Sequence, residues 1–162
     1  MERKLQKMKI VVLETTKGII KLKLYPHIAP KTCLNFMELI RRGAYDGTLF
    51  HRIIPNFMIQ GGKIEGVTSV YGKGFEDELS EEVNFARAGV LAMANQGVKT
   101  NTNGSQFFIT VAPTEWLQGN HTIFGEVFGG FNAVNKIAWA KRDKNNKPVN
   151  DQKIIKAYME VK

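Results

Sequence analysis

Short segments in which apolar and polar residues alternate recur along the chain, and this pattern constrains the fold most strongly. In the clearest of them, Ile20, Leu22 and Leu24 alternate with Lys21 and Lys23. Because successive side chains of a strand point to opposite faces, one face of this segment is predicted to be buried and the other wet. The last strand is predicted to alternate through Ile155, Ala157, Met159 and Val161.

Two segments have helical spacing instead. The first has Pro30 in its first turn, carries Leu34, Met37 and Ile40 at helical spacing, and ends before Gly43. The second covers 131–139, with its apolar residues at Val134, Ile137 and Ala138. Many short strands with two separated helices predict an all-β fold, a barrel with helical lids.

The length and the termini suit one compact unit. The 162 residues fit a single domain, predicted over 9–162, after a basic N-terminal extension over 1–8. No apolar run approaches the roughly 20 residues of a membrane span, and the charged first residues do not resemble a signal peptide. The one cysteine, Cys33, excludes an intramolecular disulfide. We therefore expect a cytoplasmic or nuclear protein that does not associate with membranes.

The formal net charge of +8 raises the alternative of a small β-barrel that binds nucleic acid. Basic residues cluster only at 4–9 and 141–147, however, and are otherwise spread along the chain. A solvated basic surface is the favoured interpretation. The acidic run 76–82 is likewise interpreted as a solvated turn rather than a metal site.

The stretch 50–62 holds the strongest candidates for a binding site. Arg52 is followed by two isoleucines, and no acidic residue in the stretch neutralises it. The alternation from Phe57 to Gln60 predicts a strand, with Phe57 and Ile59 on one face and Met58 and Gln60 on the other. This combination suits an uncharged polar ligand. The alternative is structural: a surface arginine on a strand and a core phenylalanine.

The sequence lacks the residue patterns that metal sites and serine nucleophiles require. The three histidines, His27, His51 and His121, lie on different predicted elements, with no cysteine or carboxylate at metal-ligand spacing. No Gly-x-Ser-x-Gly motif is present. A dyad of Cys33 with a histidine remains open, although a cysteine on a helix face is a poor nucleophile. No metal and no cofactor are expected.

Several longer runs resemble the cyclophilins, a family of peptidyl-prolyl cis-trans isomerases. The resemblance extends in order from about residue 10 to residue 161. Its most specific runs are Phe50-His51-Arg52-Ile53-Ile54, Phe57-Met58-Ile59-Gln60-Gly61-Gly62, Met93-Ala94-Asn95, Asn101-Thr102-Asn103-Gly104-Ser105-Gln106-Phe107-Phe108-Ile109, Glu115-Trp116-Leu117 and His121-Thr122-Ile123-Phe124-Gly125. Further runs, Phe75-Glu76-Asp77-Glu78-Leu79 among them, are similar to the single-domain, spliceosome-associated branch of peptidyl-prolyl isomerase-like 1 proteins.

The resemblance implies an eight-stranded antiparallel barrel closed by two helices, with an active groove on its outer face. It implies that Arg52 is the catalytic residue. The residues that would line the pocket for the proline ring are Phe57, Met58, Phe108 and Leu117. Those that would contact or position the peptide are Gln60, Ala94, Asn95 through its backbone, Gln96, Gln106, Trp116 and His121.

Two loops depart from the pattern of the family. The loop 63–70 is short, and 98–101 is about two residues longer than the common form. Gln96 stands where alanine is common. These positions flank a second pocket, which the resemblance assigns to residues upstream of the proline. Trp116 is the residue type associated with binding the cyclic peptide cyclosporin, so cyclosporin is an expected ligand.

Two functional hypotheses follow. In the first, the chain is an isomerase acting on exposed X-Pro bonds, a monomer whose partners are proline-containing peptides and proteins. In the second, it is a binding module that docks a proline-containing partner, for the resembling branch a spliceosomal protein, and turnover is incidental. Arg52 discriminates between them because only turnover requires its guanidinium.

Overall fold

The computed structural model describes residues 9–97 and 100–160, which form eight strands, two α-helices and one 3₁₀ helix. The strands are β1 Ile10–Thr15, β2 Gly18–Leu24, β3 Arg52–Ile54, β4 Met58–Gly61, β5 Val90–Met93, β6 Phe107–Thr110, β7 Ile123–Gly129 and β8 Ile154–Met159. The helices are α1 Pro30–Arg41 and α2 Phe131–Ala138, and the 3₁₀ helix is Glu115–Leu117. The predicted extension 1–8 lies outside the described residues.

All eight strands belong to one antiparallel sheet in the order β3-β4-β6-β5-β7-β2-β1-β8. The sheet curls until its two ends meet. Leu49, before β3, bridges to Lys153, before β8, and the Phe50 N–H donates to the Gln152 carbonyl over 2.8 Å. Helix α1 packs against β8, and α2 packs against β2, β3 and β4. The predicted eight-stranded barrel with two helices is confirmed.

The interior is organised around Phe36 of α1. Its ring centroid lies 5.4 Å from that of Tyr45, 5.3 Å from Phe107 and 5.1 Å from Phe124. Met37 and Ile40 are buried as predicted, but Leu34 is 52% exposed. The buried face of the helix follows Cys33, Phe36, Met37 and Ile40 instead, with the i, i+3, i+4, i+7 spacing of an amphipathic helix.

The predicted alternation in β8 is wrong at Ile155, which is 56% exposed while Ile154 is fully buried. Thr15 pairs with Ile154 and Glu14 with Lys156, so one extra residue is inserted between these pairs. A bulge of this kind breaks the two-residue period of the strand. Ile154 and Ala157 therefore both face the core, and Val161 lies outside the described residues.

The acidic run also differs from its prediction, because Glu78 caps helix α1. Its two carboxylate oxygens accept hydrogen bonds from the N–H groups of Lys31, over 3.0 Å, and Thr32, over 2.7 Å. The first turn of a helix leaves such N–H groups without intrahelical partners, and a negative charge there is favourable. Glu78 thus fastens the loop 75–79 to the helix, whereas Glu81 and Glu82 are exposed as predicted.

Asn35, fully buried on α1, connects two surface loops. Its Nδ2 donates to the Gly104 carbonyl over 2.9 Å, and its Oδ1 accepts from the Val70 N–H over 2.9 Å. The helix thereby holds the end of the loop 63–70 against the segment that leads into β6.

The described residues contain no helix with the length and the apolar character of a membrane span.

Candidate active site

An open groove with a volume of about 340 Å³ lies on the outer face of the barrel. Ile59 and Phe107 point into the barrel core, whereas Met58 and Phe108 belong to a separate apolar cluster outside it. The strands β4 and β6 thus present one face to the core and the other to the groove. The lining residues are Arg52, Phe57, Met58, Gln60, Ala94, Asn95, Phe108, Leu117 and His121, all of which the sequence analysis had selected.

The polar end of the groove consists of three side chains joined by hydrogen bonds. Arg52 on β3 lies directly opposite Gln60 on β4, so their side chains share one face of the sheet. The Arg52 guanidinium donates to Gln60 Oε1 over 3.3 Å, and Gln60 Nε2 donates to Gln106 Oε1 over 3.1 Å. Arg52 is exposed and forms no ion pair with a carboxylate of the described residues. Its remaining donors are available to a ligand.

Phe57 and Met58 both face the groove, which corrects the predicted alternation. The strand begins at Met58, and Phe57 still belongs to the turn that contains Asn56, at a φ of 67°. A residue in a turn does not follow the two-residue period of the strand that comes after it. The rest of the alternation holds, since Met58 and Gln60 line the groove and Ile59 is buried in the core.

Phe85 forms the floor beneath the groove and was missed in the sequence. It is 1% exposed, and its ring stacks on that of Phe108 at a centroid distance of 6.2 Å and an interplanar angle of 9°. The His121 ring stands edge-on to both, 5.2 Å from Phe108 and 6.5 Å from Phe85. The only signal for Phe85 in the sequence is an isolated aromatic residue in a polar segment without strand or helix periodicity.

Asn95 and His121 form the opposite wall. His121 Nδ1 lies 2.9 Å from the Met93 carbonyl oxygen, and because a carbonyl oxygen can only accept, this ring nitrogen is the donor. The Asn95 side chain donates to the Asn120 carbonyl and accepts from the Gly97 N–H, each over 3.0 Å. Among the described residues, none forms a hydrogen bond to the main-chain N–H or carbonyl of Asn95. Its backbone is therefore free to pair with an extended peptide.

Trp116 lies at the rim of the groove rather than in it. Its ring centroid is 5.6 Å from that of Phe57, and the residue is 65% exposed. Of the predicted residues, Gln96 and Gln106 line a neighbouring cavity instead.

This second cavity has a volume of about 210 Å³ and shares Gln60, Ala94 and Asn95 with the groove. The loops that flank it were predicted from the sequence, but most of the residues that form it were not. Its other lining residues are Lys63, Ile64, Val67, Thr68, Gln96, Thr102, Gly104, Ser105 and Gln106. Two residues of the predicted long loop, Val98 and Lys99, lie outside the described residues.

The alternative nucleophile is not accessible. Cys33 is fully buried, and burial raises the pKa of its thiol to about 12, so a thiolate is not available near neutral pH. Among residues 9–97 and 100–160, no three His, Cys, Asp or Glu side chains are grouped so that they could hold a metal ion.

His51, next to Arg52, makes stability depend on pH. Burial lowers the pKa of its imidazole, and the positive charges of Lys63 and Arg52 act in the same direction. Between this lowered pKa and the ordinary value of about 6.5, the imidazole of the unfolded chain therefore binds a proton that the folded chain does not. The contribution of His51 to stability is complete above that pH and is lost as the pH falls through the lower, folded-state pKa.

We expect the free energy of unfolding to decrease more between about pH 7.5 and about pH 5.5 in the wild type than in His51→Gln, which cannot titrate. Urea unfolding at the two pH values measures both decreases. Equal decreases in the two proteins would contradict this assignment.

The fold and the groove define a β-barrel protein with an external peptide-binding site, apolar at its floor and bordered by a guanidinium that pairs with no carboxylate of the described residues. The family model described as cyclophilin type peptidyl-prolyl cis-trans isomerase/CLD matches residues 10–159. The chain belongs to this family and is a peptidyl-prolyl cis-trans isomerase.

Curated relatives agree with this assignment. The chain is 57% identical over 152 residues to peptidyl-prolyl cis-trans isomerase-like 1 of Homo sapiens, covering 91% of this chain and 90% of that protein. It is 52% identical over 151 residues to the protein of the same name from Gibberella zeae, covering 91% of this chain and 92% of the relative.

Among solved structures, a cyclophilin type peptidyl-prolyl cis-trans isomerase from Cryptosporidium parvum superimposes with a TM-score of 0.92 at 37% identity, covering 96% of this chain and 99% of that one. A second structure of the same protein, in the presence of the dipeptide Ala-Pro, gives a TM-score of 0.90 at 37% identity, covering 94% and 99% of the two chains.

Proposed function

We propose that the groove binds the proline ring of an X-Pro segment and that Arg52 accelerates rotation about the X-Pro bond. One observation carries this assignment: an exposed guanidinium without a carboxylate partner among the described residues stands at the edge of an apolar pocket. The pocket suits an uncharged ring, and the guanidinium suits a lone pair that develops beside it.

The reaction needs no covalent step. Rotation of the peptide bond removes amide resonance and meets a barrier of about 18–20 kcal/mol. In the twisted state the proline nitrogen becomes pyramidal and regains its lone pair, to which a guanidinium can donate a hydrogen bond. The planar ground state offers no such lone pair, so this interaction selectively stabilises the transition state.

The neighbouring side chains have distinct roles in this proposal. Phe57, Met58, Phe108 and Leu117 hold the proline ring, with Phe85 supporting them from below. Gln60 orients Arg52 and is itself held by Gln106. The free backbone of Asn95 pairs with the peptide, and His121 serves as a wall, since its Nδ1 proton is engaged by Met93. The structure of the Cryptosporidium parvum protein in the presence of the dipeptide Ala-Pro supports a proline-containing ligand for this fold.

We also propose that cyclosporin binds across the groove, with the exposed Trp116 as a contact at its rim. The test of both proposals is the cis-to-trans isomerisation of a short X-Pro peptide, with and without cyclosporin. The wild type should accelerate the reaction, and cyclosporin should abolish the acceleration. A folded wild type that leaves the uncatalysed rate unchanged would refute the isomerase proposal, whereas catalysis that resists cyclosporin would refute only the inhibitor site.

The docking hypothesis gives the finer proposal that this chain docks onto a spliceosomal protein in the nucleus. It is supported by the resemblance of runs such as 75–79 to the spliceosome-associated branch of peptidyl-prolyl isomerase-like 1 proteins, and the chain is 57% identical to the protein of that name from Homo sapiens. Co-purification of splicing complexes with both the wild type and Arg52→Ala would support docking without turnover. If neither protein co-purifies splicing complexes, the docking proposal is refuted.

A further inference from the structure

The second cavity carries one charged side chain among its described lining residues, that of Lys63. The others are apolar, amide, hydroxyl or glycine residues. Lys63 is exposed and forms no ion pair with a carboxylate of the described part of the chain. Glu65, two residues further on, is exposed and does not line the cavity. A cation is therefore presented to whatever enters this cavity.

The loop that carries Lys63 is held at both ends, so the fold sets the backbone position from which its side chain extends. Gly62 precedes it at a φ of 84° and lies so close to the core that an added Cβ would come 2.7 Å from Phe107 and 2.8 Å from the Ser105 carbonyl oxygen. At the other end, the Val70 N–H is held by the buried Asn35. Between them, the Thr68 carbonyl would lie 2.6 Å from a Cβ at Gly104, so the loop closes on the opposite wall of the cavity.

The positive charge of Lys63 already acts on a neighbour. It lowers the pKa of His51, after the larger effect of burial and together with Arg52. Arg52 lines the proline groove, and Lys63 lines the second cavity, with Gln60 between them in both linings. Neither lining includes an acidic residue among the described residues, so the two cations give this side of the site a positive potential.

The spacing of an extended peptide connects the two cavities. Side chains two residues apart lie on the same side of an extended chain, about 6.6–6.8 Å from each other. Because the cavities share Gln60, Ala94 and Asn95 as a common border, a peptide with its proline in the groove can place the side chain two positions away from that proline at the second cavity. In the orientation assigned below, this is the side chain upstream of the proline, and it would meet Lys63.

We propose that Lys63 is a specificity-determining residue that selects substrates with an acidic side chain two positions before the proline. The inference rests on the proposed isomerase function and specifies its substrate class. The carboxylate of aspartate or glutamate pairs with the Lys63 ammonium, while a lysine at the same peptide position is repelled. The uncharged amides and hydroxyls of the cavity, including Gln96 and Thr102, accommodate the stem without opposing the charge.

The test compares three peptides that differ only at this position, Glu-Ala-Pro, Gln-Ala-Pro and Lys-Ala-Pro, in the same flanking sequence. For the wild type at low salt we expect kcat/KM for the Glu peptide to exceed that for the Lys peptide by about five- to tenfold, the size typical of an exposed charge pair gained in one case and a repulsion in the other. The ratio should shrink at about 0.5 M salt because exposed charges are screened.

Lys63→Glu should reverse the order of the Glu and Lys peptides. Lys136→Glu, an exposed lysine on α2 that lines neither cavity, makes the same change in net charge and should keep the order of the wild type. Thermal unfolding of both variants checks that each is folded. A Glu peptide with its acid placed after the proline measures attraction by the overall charge alone.

The outcomes separate this inference from the function on which it rests. Equal rates for the three peptides with the wild type, or the same preference in Lys63→Glu as in the wild type, would overturn the role of Lys63 and leave the isomerase intact. A reversal that occurs equally in Lys136→Glu would assign the preference to net charge and also overturn it. If no peptide is isomerised by the folded wild type, the proposed function itself fails.

Discussion

Replacing Arg52 by alanine should lower kcat/KM for an X-Pro peptide by about 100- to 1000-fold, the loss found when one donor to a transition-state charge is removed. The groove would keep its apolar floor, so the substrate would still bind. Stability should change little, because Arg52 is exposed and its hydrogen bond to Gln60 is long, at 3.3 Å. Isomerisation rates measured by NMR exchange, together with urea unfolding, give both quantities.

Arg52→Lys is the matched control. Lysine keeps the positive charge but lacks the planar fork of the guanidinium, so we expect it to recover only a small part of the lost activity. Full activity in Arg52→Lys would assign catalysis to charge alone. A folded Arg52→Ala that retains the rate of the wild type would remove Arg52 from the mechanism.

Phe85→Ala should cost about 3–5 kcal/mol of stability, the usual range when a buried phenylalanine is truncated. Phe85 is 1% exposed and supports Phe108 and His121 from beneath. Its loss would leave a void under the proline pocket, so KM should rise as well. Urea unfolding measures the first effect, and peptide titration of the kinetics measures the second.

Phe128→Ala provides the comparison, because Phe128 is 49% exposed and does not line the groove. Its truncation should cost less than about 1 kcal/mol. Phe85→Leu, which keeps most of the buried volume, should give an intermediate loss and remain folded for kinetics. If Phe85→Ala were as stable as Phe128→Ala, Phe85 could not be the floor of the pocket.

The second cavity and the proline groove differ in how they are built. Most of the groove consists of residues on β3, β4 and β6 and in the segments next to them. Much of the cavity wall comes from loops, which are held by α1 through Asn35 and by the close approach of Thr68 to Gly104. Changes in loop length therefore alter the second cavity while leaving the proline groove in place, so the substrate preference proposed above can change without loss of the isomerase activity.

Local patterns allowed much of the structure to be predicted. The alternation around Leu22, the helix that begins at Pro30 and the runs containing Arg52, Gln60 and Phe108 correctly indicated the barrel and the groove, because periodicity reports which face of an element is buried. The role of Arg52 came from the resemblance, because the spacing alone did not distinguish an arginine in a binding site from a structural arginine on the surface.

The sequence by itself thus determined the class of fold and the identity of the family, and it predicted the residues that the structure brings together in the groove. Only the tertiary structure decided the exposure of Leu34, the bulge at Ile155, the position of Phe85 under the groove and the capping of α1 by Glu78. Each of these depends on contacts between segments far apart in the chain. Glu78, for instance, meets Thr32 across 46 residues, and no local periodicity records such a pairing because it is set by how the barrel closes.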